Sequence, residues 1–110
     1  MIESLLQPKT EEDKSMVAFL LEKFEFYIIP MLNVDGVING NYRCSLASCD
    51  LNRKWGSDTS EHIHPSIYAS KKLISEVTQG LKKEMVMFID FHGHSAKKNV
   101  FMYGNDLNCL

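Results

Sequence analysis

The chain of 110 residues lacks the features that mark several classes of protein. Its cysteines, Cys44, Cys49 and Cys109, are odd in number and lack metal-ligand or redox spacing, so we expect no disulfide framework and a reducing compartment. No apolar run approaches the length of a membrane span, and the amino terminus has no basic start followed by an apolar core. We therefore expect a cytosolic protein.

A block of basic charge is also missing. The formal net charge is −2, and the nearest approach to a basic cluster is the pair Lys97 and Lys98. Binding to nucleic acid or to a membrane surface rests on clustered Lys and Arg, so we expect neither partner. With 45% apolar and 24% charged residues, the chain has enough apolar content for one globular core and is too short for two domains.

Two segments have the pattern of amphipathic helices. Thr10 begins the first with a capping box in which Asp13 takes the place of the usual Glu. Pro65 suits the first position of the second helix, which should end near Gly80. The apolar residues at helical spacing are Met16, Val17, Leu20, Leu21 and Phe24 in the first, and Ile67, Leu73, Ile74 and Val77 in the second.

Three apolar runs predict strands. Residues 26–32 and 84–89 have the composition of buried strands, and residues 100–103 indicate a third short one. Residues 36–60 have no sustained periodicity and predict a long loop. The order helix, strand, loop, helix, strand predicts an α/β fold, a partial mixed or parallel sheet with flanking helices and a right-handed crossover.

The predicted strands end in polar residues. In open α/β sheets the binding crevice lies beyond the carboxyl ends of the strands, so residues 33–35 and 90–95 should face one crevice. His92 would be a good zinc ligand there, and the nearby Asp90 carboxylate would fix which ring nitrogen carries the proton. The alternative is a core histidine satisfied by one hydrogen bond. His94 is a weaker second candidate, because Gly93 frees the backbone between the two histidines.

The remaining histidines and arginines suggest two further groups. His62 and His64 lie in a polar loop just before a helix, where a solvated or capping role fits better than metal binding. Arg43, Asn52 and Arg53 would make a donor-rich crevice for an anionic substrate, because arginine binds a carboxylate with two parallel hydrogen bonds. The alternative is that both arginines are surface residues paired with some of the fourteen acids.

Four motifs in order resemble the cytosolic carboxypeptidases, a subgroup of the zinc metallocarboxypeptidases. They are IPMLNVDGVINGNYRCSL from residue 29, DLNRKW from residue 50, HPSIY from residue 64, and DFHGHS from residue 90 with KNVFMYG after it. The resemblance implies that His92 is the family's third zinc ligand. It also implies that Arg43 polarises the scissile carbonyl, and that Asn52 and Arg53 bind the substrate's terminal carboxylate.

The sequence departs from the family pattern at three points. The His-x-x-Glu motif that supplies the first two zinc ligands is expected upstream, and the catalytic glutamate is expected after the chain's end. Val34 stands where the family usually has proline. Residues 1–110 are thus expected to form one incomplete domain, the central part of a zinc carboxypeptidase catalytic domain, with the family match over about 24–104. The cofactor implied is Zn²⁺, with one ligand in this chain.

The resemblance implies a metallocarboxypeptidase that removes C-terminal residues, above all glutamates of tubulin or other acidic tails. It implies a cytosolic location with microtubule association. The alternative is an inactive truncated pseudoenzyme or binding fragment that recognises acidic C-terminal tails. A third interpretation, an unrelated hydrolase with a self-contained metal site, would use His62, His64, His92 and His94.

Overall fold

The computed structural model describes residues 2–104 and divides the chain into two compact units, with the boundary between Lys72 and Leu73. All of the buried residues in the described range lie in the first unit. The second unit contains the end of one helix, a π-helical turn and the irregular segment 81–104. Within the described residues, no helix is both long and apolar enough to cross a membrane.

Two helices begin the first unit, and they contact each other. Helix α1 spans Ile2–Leu6 and α2 spans Glu11–Lys23. The predicted capping box of α2 is present: Thr10 Oγ1 accepts the N–H of Asp13 at 3.0 Å, and Asp13 Oδ2 accepts the N–H of Thr10 at 3.1 Å. Two of the backbone donors that a helix start leaves unsatisfied therefore receive acceptors. The prediction of this helix is confirmed.

The apolar side of α2 is only partly covered. Val17 and Leu20 are half-buried, whereas Met16, Phe19 and Leu21 are exposed. The helix therefore owes little to burial in the described structure. Interactions within the helix must then supply most of its stability, and the capping box is the clearest of these interactions.

Helices of different types follow. Helix α3 spans Val34–Ile38, a 3₁₀ turn spans Leu51–Arg53, and α4 spans Pro65–Ser75. A π-helical turn, Glu76–Gly80, continues from α4, and the N–H of Leu81 donates to the carbonyl of Glu76 at its end. The second predicted helix is thus confirmed from Pro65 to Gly80. Its last turn is wider than an α-helical turn.

A small core forms where α4 meets the loop before it. Ile67 of α4 is fully buried at 0% exposure, and Leu51 of the 3₁₀ turn is 6% exposed. Lys71 of α4 donates to the carbonyl of Gly56 at 2.7 Å and to Thr59 Oγ1 at 3.2 Å. The long loop is therefore anchored to α4 by both apolar burial and hydrogen bonds, which fixes the segment that contains Asn52 and Arg53.

The predicted strands are not found in the part of the chain that the structure describes. Residues 26–32, 84–89 and 100–103 have no regular secondary structure, and the crossover between parallel strands is consequently not found either. The one β-type pairing described is an isolated antiparallel bridge between Cys44 and Asp50. A strand exists only through hydrogen bonds to a neighbouring segment, which apolar composition does not supply, and the predicted sheet is not confirmed.

Candidate active site

The site residues predicted from the sequence lie in both units. Arg43, Asn52 and Arg53 belong to the first unit, within twelve positions along the chain, and Asp90 and His92 belong to the second. The structure brings the first three together around one additional residue, Asp50. Each unit therefore has a part of the candidate site with its own geometry.

A short hairpin-like turn holds Arg43. Cys44 pairs with Asp50 in the antiparallel bridge, and the N–H of Ser45 donates to the carbonyl of Cys49 at 2.9 Å. This pairing brings Arg43 and Asp50 together, and Arg43 Nη2 lies 2.9 Å from Asp50 Oδ2. The Arg43 side chain is 40% exposed, so part of its guanidinium remains open to a ligand. Cys44 and Cys49 are free thiols, and Cys109 lies outside the described residues.

Asparagine side chains support the backbone of the Arg43 segment. Asn33 Nδ2 donates to the carbonyls of Arg43 and Cys44, both at 3.3 Å, and its Oδ1 accepts the N–H of Gly36 at 3.2 Å. Asn41 Nδ2 donates to the Cys44 carbonyl at 3.1 Å. The start of α3 and the Arg43 segment are thus tied by side-chain hydrogen bonds where no regular sheet exists. This explains how Arg43 is positioned within an otherwise irregular loop.

Asn52 is held by two hydrogen bonds. Its N–H donates to Asp50 Oδ1 at 2.9 Å, the capping bond of the 3₁₀ turn, and its Oδ1 accepts the indole N–H of Trp55 at 3.0 Å. An indole nitrogen only donates, so this contact fixes which end of the Asn52 amide is the oxygen. The Nδ2 group makes no hydrogen bond to the described residues and is available to donate to a carboxylate.

Arg53 is exposed, and no carboxylate of the described residues pairs with its guanidinium. Its backbone N–H donates to the carbonyl of Asp50 at 3.0 Å. The expectation of a surface ion pair therefore fits Arg43, which binds Asp50, and does not fit Arg53 in the described structure. An uncompensated guanidinium beside the oriented Asn52 amide is suited to binding an anion.

The next ion pair along the chain is separate from this group. Lys54 Nζ lies 2.7 Å from Asp58 Oδ2. The hydrogen bond to Asp58, reinforced by its charge, raises the pKa of Lys54, and the same contact lowers the pKa of the Asp58 carboxyl. Both groups thus stay ionised over a wider pH range, and the charge of Lys54 is already compensated. Lys54 is accordingly a weaker candidate for anion binding than Arg53.

Sequence reasoning missed three residues that organise the site: Asn33, Asp50 and Trp55. The signal for Asp50 was present, because an Asp two positions before the residue whose N–H it accepts is the pattern of an Asx turn. The contact of Asn33 with residues 43 and 44 spans ten and eleven positions along the chain, and no local pattern predicts it. The same holds for the pairing of Arg43 with Asp50.

His92 lies in the irregular segment of the second unit and is exposed. Its Nδ1 lies 2.7 Å from the carbonyl oxygen of Gly93. A carbonyl oxygen only accepts, so Nδ1 carries the proton in this contact and Nε2 keeps a free lone pair. The interpretation as a buried core histidine does not fit this exposure. Asp90 is also exposed, and its role in fixing the tautomer of His92 stays a prediction.

The described residues contain no group of three or more His, Cys, Asp or Glu side chains that could hold a metal ion. Protein zinc sites use at least three such ligands, so residues 2–104 alone do not fit a zinc site, although His92 presents a suitable nitrogen. The four-histidine site of the third interpretation is not found in this range either. One of its members, His64, is buried, and its Nδ1 accepts the N–H of Ser60 at 3.3 Å.

His94 has a different environment from His92. Its Nδ1 accepts the backbone N–H groups of Ala96 and Lys97, at 3.2 and 2.9 Å. Its ring meets Phe101 edge to face with the centroids 5.3 Å apart, and Lys97 Nζ lies 5.0 Å from the centre of the Phe101 ring. Because the His94 nitrogen Nδ1 is used to hold this turn, His92 is the better candidate for a metal ligand.

In the first unit, Arg43 paired with Asp50, the Asn52 amide oriented by Trp55 and the open guanidinium of Arg53 are candidates for binding an anion. In the second unit, His92 presents a ring nitrogen suited to a metal. The zinc carboxypeptidase family model matches residues 1–108, and the chain belongs to that family of hydrolases. The family's domain is of the α/β class, so the predicted class agrees with the family, although the sheet is not confirmed by the described structure.

The chain is similar to several curated relatives. It is 58% identical to human cytosolic carboxypeptidase 4 over 85 residues, which are 77% of this chain and 8% of the relative. It is 53% identical to human cytosolic carboxypeptidase 1 over 77% of this chain and 7% of the relative. It is 47% identical to mouse cytosolic carboxypeptidase 3 over 86% of this chain and 9% of the relative. The chain thus spans less than a tenth of these relatives. No solved structure matches.

Proposed function

We propose that the protein containing this chain is a zinc metallocarboxypeptidase that hydrolyses C-terminal residues of peptides and proteins, with glutamates of acidic tails such as those of tubulin as its substrates. Residues 1–110 would form the central part of its catalytic domain. The observation that carries this proposal is the group formed by Arg43, Asn52 and Arg53 around Asp50. Family membership and the names of the relatives support it over the binding-fragment alternative.

Each residue of this group has a role in the proposal. An exopeptidase must recognise a free terminal carboxylate, and the Nδ2 group of Asn52 with the open guanidinium of Arg53 would supply the donors. The second guanidinium, that of Arg43, would polarise the scissile carbonyl and stabilise the negative charge that develops on its oxygen. One cationic group would thus bind the terminal carboxylate of the residue to be removed. The other would contact the carbonyl oxygen of the scissile bond.

Zinc belongs to the proposal as the family's cofactor. When bound, it would polarise the carbonyl and lower the pKa of a bound water. His92 is the ligand that this chain would supply, through Nε2, because Nδ1 contacts the carbonyl oxygen of Gly93. A cytosolic location is likewise proposed, because the relatives are named cytosolic carboxypeptidases. Association with microtubules is proposed only as a consequence of tubulin being a substrate.

The test uses the full-length gene product supplied with zinc. It should release glutamate from a peptide that ends in Glu-Glu with a free carboxylate. It should not cleave the same peptide when its C-terminus is amidated. Arg53→Ala should reduce kcat/KM by about tenfold to a hundredfold, the value of a charge-assisted hydrogen-bond pair. Lys72→Ala, an exposed cation on α4, is the matched control and should change little. Equal cleavage of the acid and the amide would contradict the proposal.

A further inference from the structure

Asp50 contacts Arg43, Asn52 and Arg53, the three residues of the first unit that the proposed function uses. Its Oδ2 contacts the guanidinium of Arg43 at 2.9 Å, and its Oδ1 accepts the N–H of Asn52 at 2.9 Å. Its backbone carbonyl accepts the N–H of Arg53 at 3.0 Å. Three different atoms of one residue thus contact the side chain of Arg43 and the backbone of Asn52 and Arg53.

The environment of Asp50 favours a fixed geometry. The side chain is 25% exposed, and both carboxylate oxygens are engaged, one by a guanidinium and the other by a backbone amide. An ion pair with a guanidinium and a hydrogen bond from a backbone N–H, both on one ionised carboxylate, restrict its rotation. The antiparallel bridge between Cys44 and Asp50 fixes the backbone underneath. Asp50 is therefore more constrained than a single exposed ion pair.

Each contact leaves the functional end of its partner open. An arginine side chain carries five N–H donors, and the ion pair to Asp50 involves one terminal nitrogen, Nη2. The bonds to Asn52 and Arg53 use their backbone amides and leave the side chains free for a substrate. Asp50 therefore holds these residues without occupying the groups that would meet the substrate.

We propose that Asp50 is a positioning residue that couples the two halves of the substrate site, holding Arg43 through one carboxylate oxygen and the turn that carries Asn52 and Arg53 through the other. The inference rests on the proposed function and adds to it a residue that does not itself touch the substrate. It predicts that loss of the contact with Arg43 lowers kcat, and that loss of the contact with the N–H of Asn52 raises KM.

Two substitutions separate the two contacts. In Asp50→Asn, the amide oxygen can still accept the N–H of Asn52, whereas the amide nitrogen faces the guanidinium of Arg43 as a donor against a donor. This variant keeps the cap of the 3₁₀ turn and should keep its fold. Asp50→Ala removes both contacts. Asp58→Asn breaks the neighbouring ion pair between Lys54 and Asp58 without touching the group, and it is the matched control.

The experiment measures kcat and KM of the full-length gene product on a peptide that ends in Glu-Glu with a free carboxylate. We expect Asp50→Asn to lower kcat by about tenfold to a hundredfold with KM within about threefold, because a displaced Arg43 stabilises the transition state less. Asp50→Ala should show the same loss of kcat and, in addition, raise KM by about fivefold, as expected for a lost cap. Asp58→Asn should match the wild type in both parameters.

Two results would overturn the inference while the proposed function stands. One is an active wild type whose Asp50→Asn variant keeps the kcat of the Asp58→Asn control. The other is an equal change of KM in Asp50→Asn and Asp50→Ala, which would mark a general structural role. A wild type that releases no residue would instead refute the proposed function, and the inference that rests on it would fall as well.

Discussion

At the scale of single residues, Gly36 determines how closely two segments of the candidate site approach. It is buried at the start of α3, and a Cβ added there would lie 2.6 Å from the carbonyl oxygen of Cys44 and closer still to the Asn33 amide. Such distances are far inside van der Waals contact. The absence of a side chain at this position is therefore what lets Asn33 bind the carbonyls of Arg43 and Cys44.

We predict that Gly36→Ala loosens the Arg43 segment. The added methyl group must push Asn33 or Cys44 away, and overpacking of this kind costs about 1–3 kcal/mol. The measurement is hydrogen exchange over residues 33–46 in the full-length gene product, where exchange should become about fivefold faster or more for that cost. Gly56→Ala is the control, because its Cβ would meet only Asp58 Oδ1, at 3.4 Å. Equal protection in the two variants would show that the site tolerates the methyl group.

At the scale of elements, Lys71 of α4 anchors the loop that carries Asn52 and Arg53, two of the three candidate residues of the first unit. Its ammonium group donates to the carbonyl of Gly56 and to Thr59 Oγ1, and Thr59 Oγ1 in turn lies 2.6 Å from the carbonyl of Lys54. The bond to Gly56 bridges fifteen positions along the chain. Because the 3₁₀ turn has only three residues, it depends on contacts of this kind.

We predict that Lys71→Met destabilises this loop by about 1–3 kcal/mol, since it removes charge-assisted hydrogen bonds and keeps most of the apolar side chain. Faster hydrogen exchange over residues 50–60 of the full-length gene product would report the effect. The neighbouring residue provides the control: Lys72 is exposed, and Lys72→Met should leave that exchange unchanged. If both variants behave alike, the loop is held by the burial of Leu51 and Ile67 alone.

The elements differ in how well the sequence predicted them, and the reason is physical. Helix α2 and the helix from Pro65 were predicted because their signals are local: a capping box over four residues and a proline at a first helical position. Strands require a partner elsewhere in the chain, and the three apolar runs carry no information about it. In the candidate site, resemblance indicated Arg43, Asn52, Arg53 and His92. The contacts of Asn33 with residues 43 and 44 and of Arg43 with Asp50 are nonlocal. The Asx turn formed by Asp50 has a local sequence pattern, which was overlooked.

At the scale of the whole molecule, the apolar runs predicted as strands are exposed in the described structure. Ile28 and Ile29 belong to the first run, Val86 and Met87 to the second, and all four are exposed. Large exposed apolar patches are typical of surfaces that another segment or partner covers, and otherwise they promote aggregation. The chain spans less than a tenth of the relatives it matches, so those relatives have much more chain with which to cover the corresponding runs.

We predict that the 110-residue chain by itself is marginally stable or prone to aggregation. Sedimentation velocity and a thermal scan at micromolar concentration provide the measurement. Met87→Lys places a charge in an exposed apolar run and should increase the soluble monomer fraction. Tyr42→Lys is the control, because Tyr42 is 87% exposed and lies outside all three runs. A soluble wild-type monomer with a cooperative and reversible transition would contradict the prediction, because it would mean that the exposed runs need no further chain to cover them.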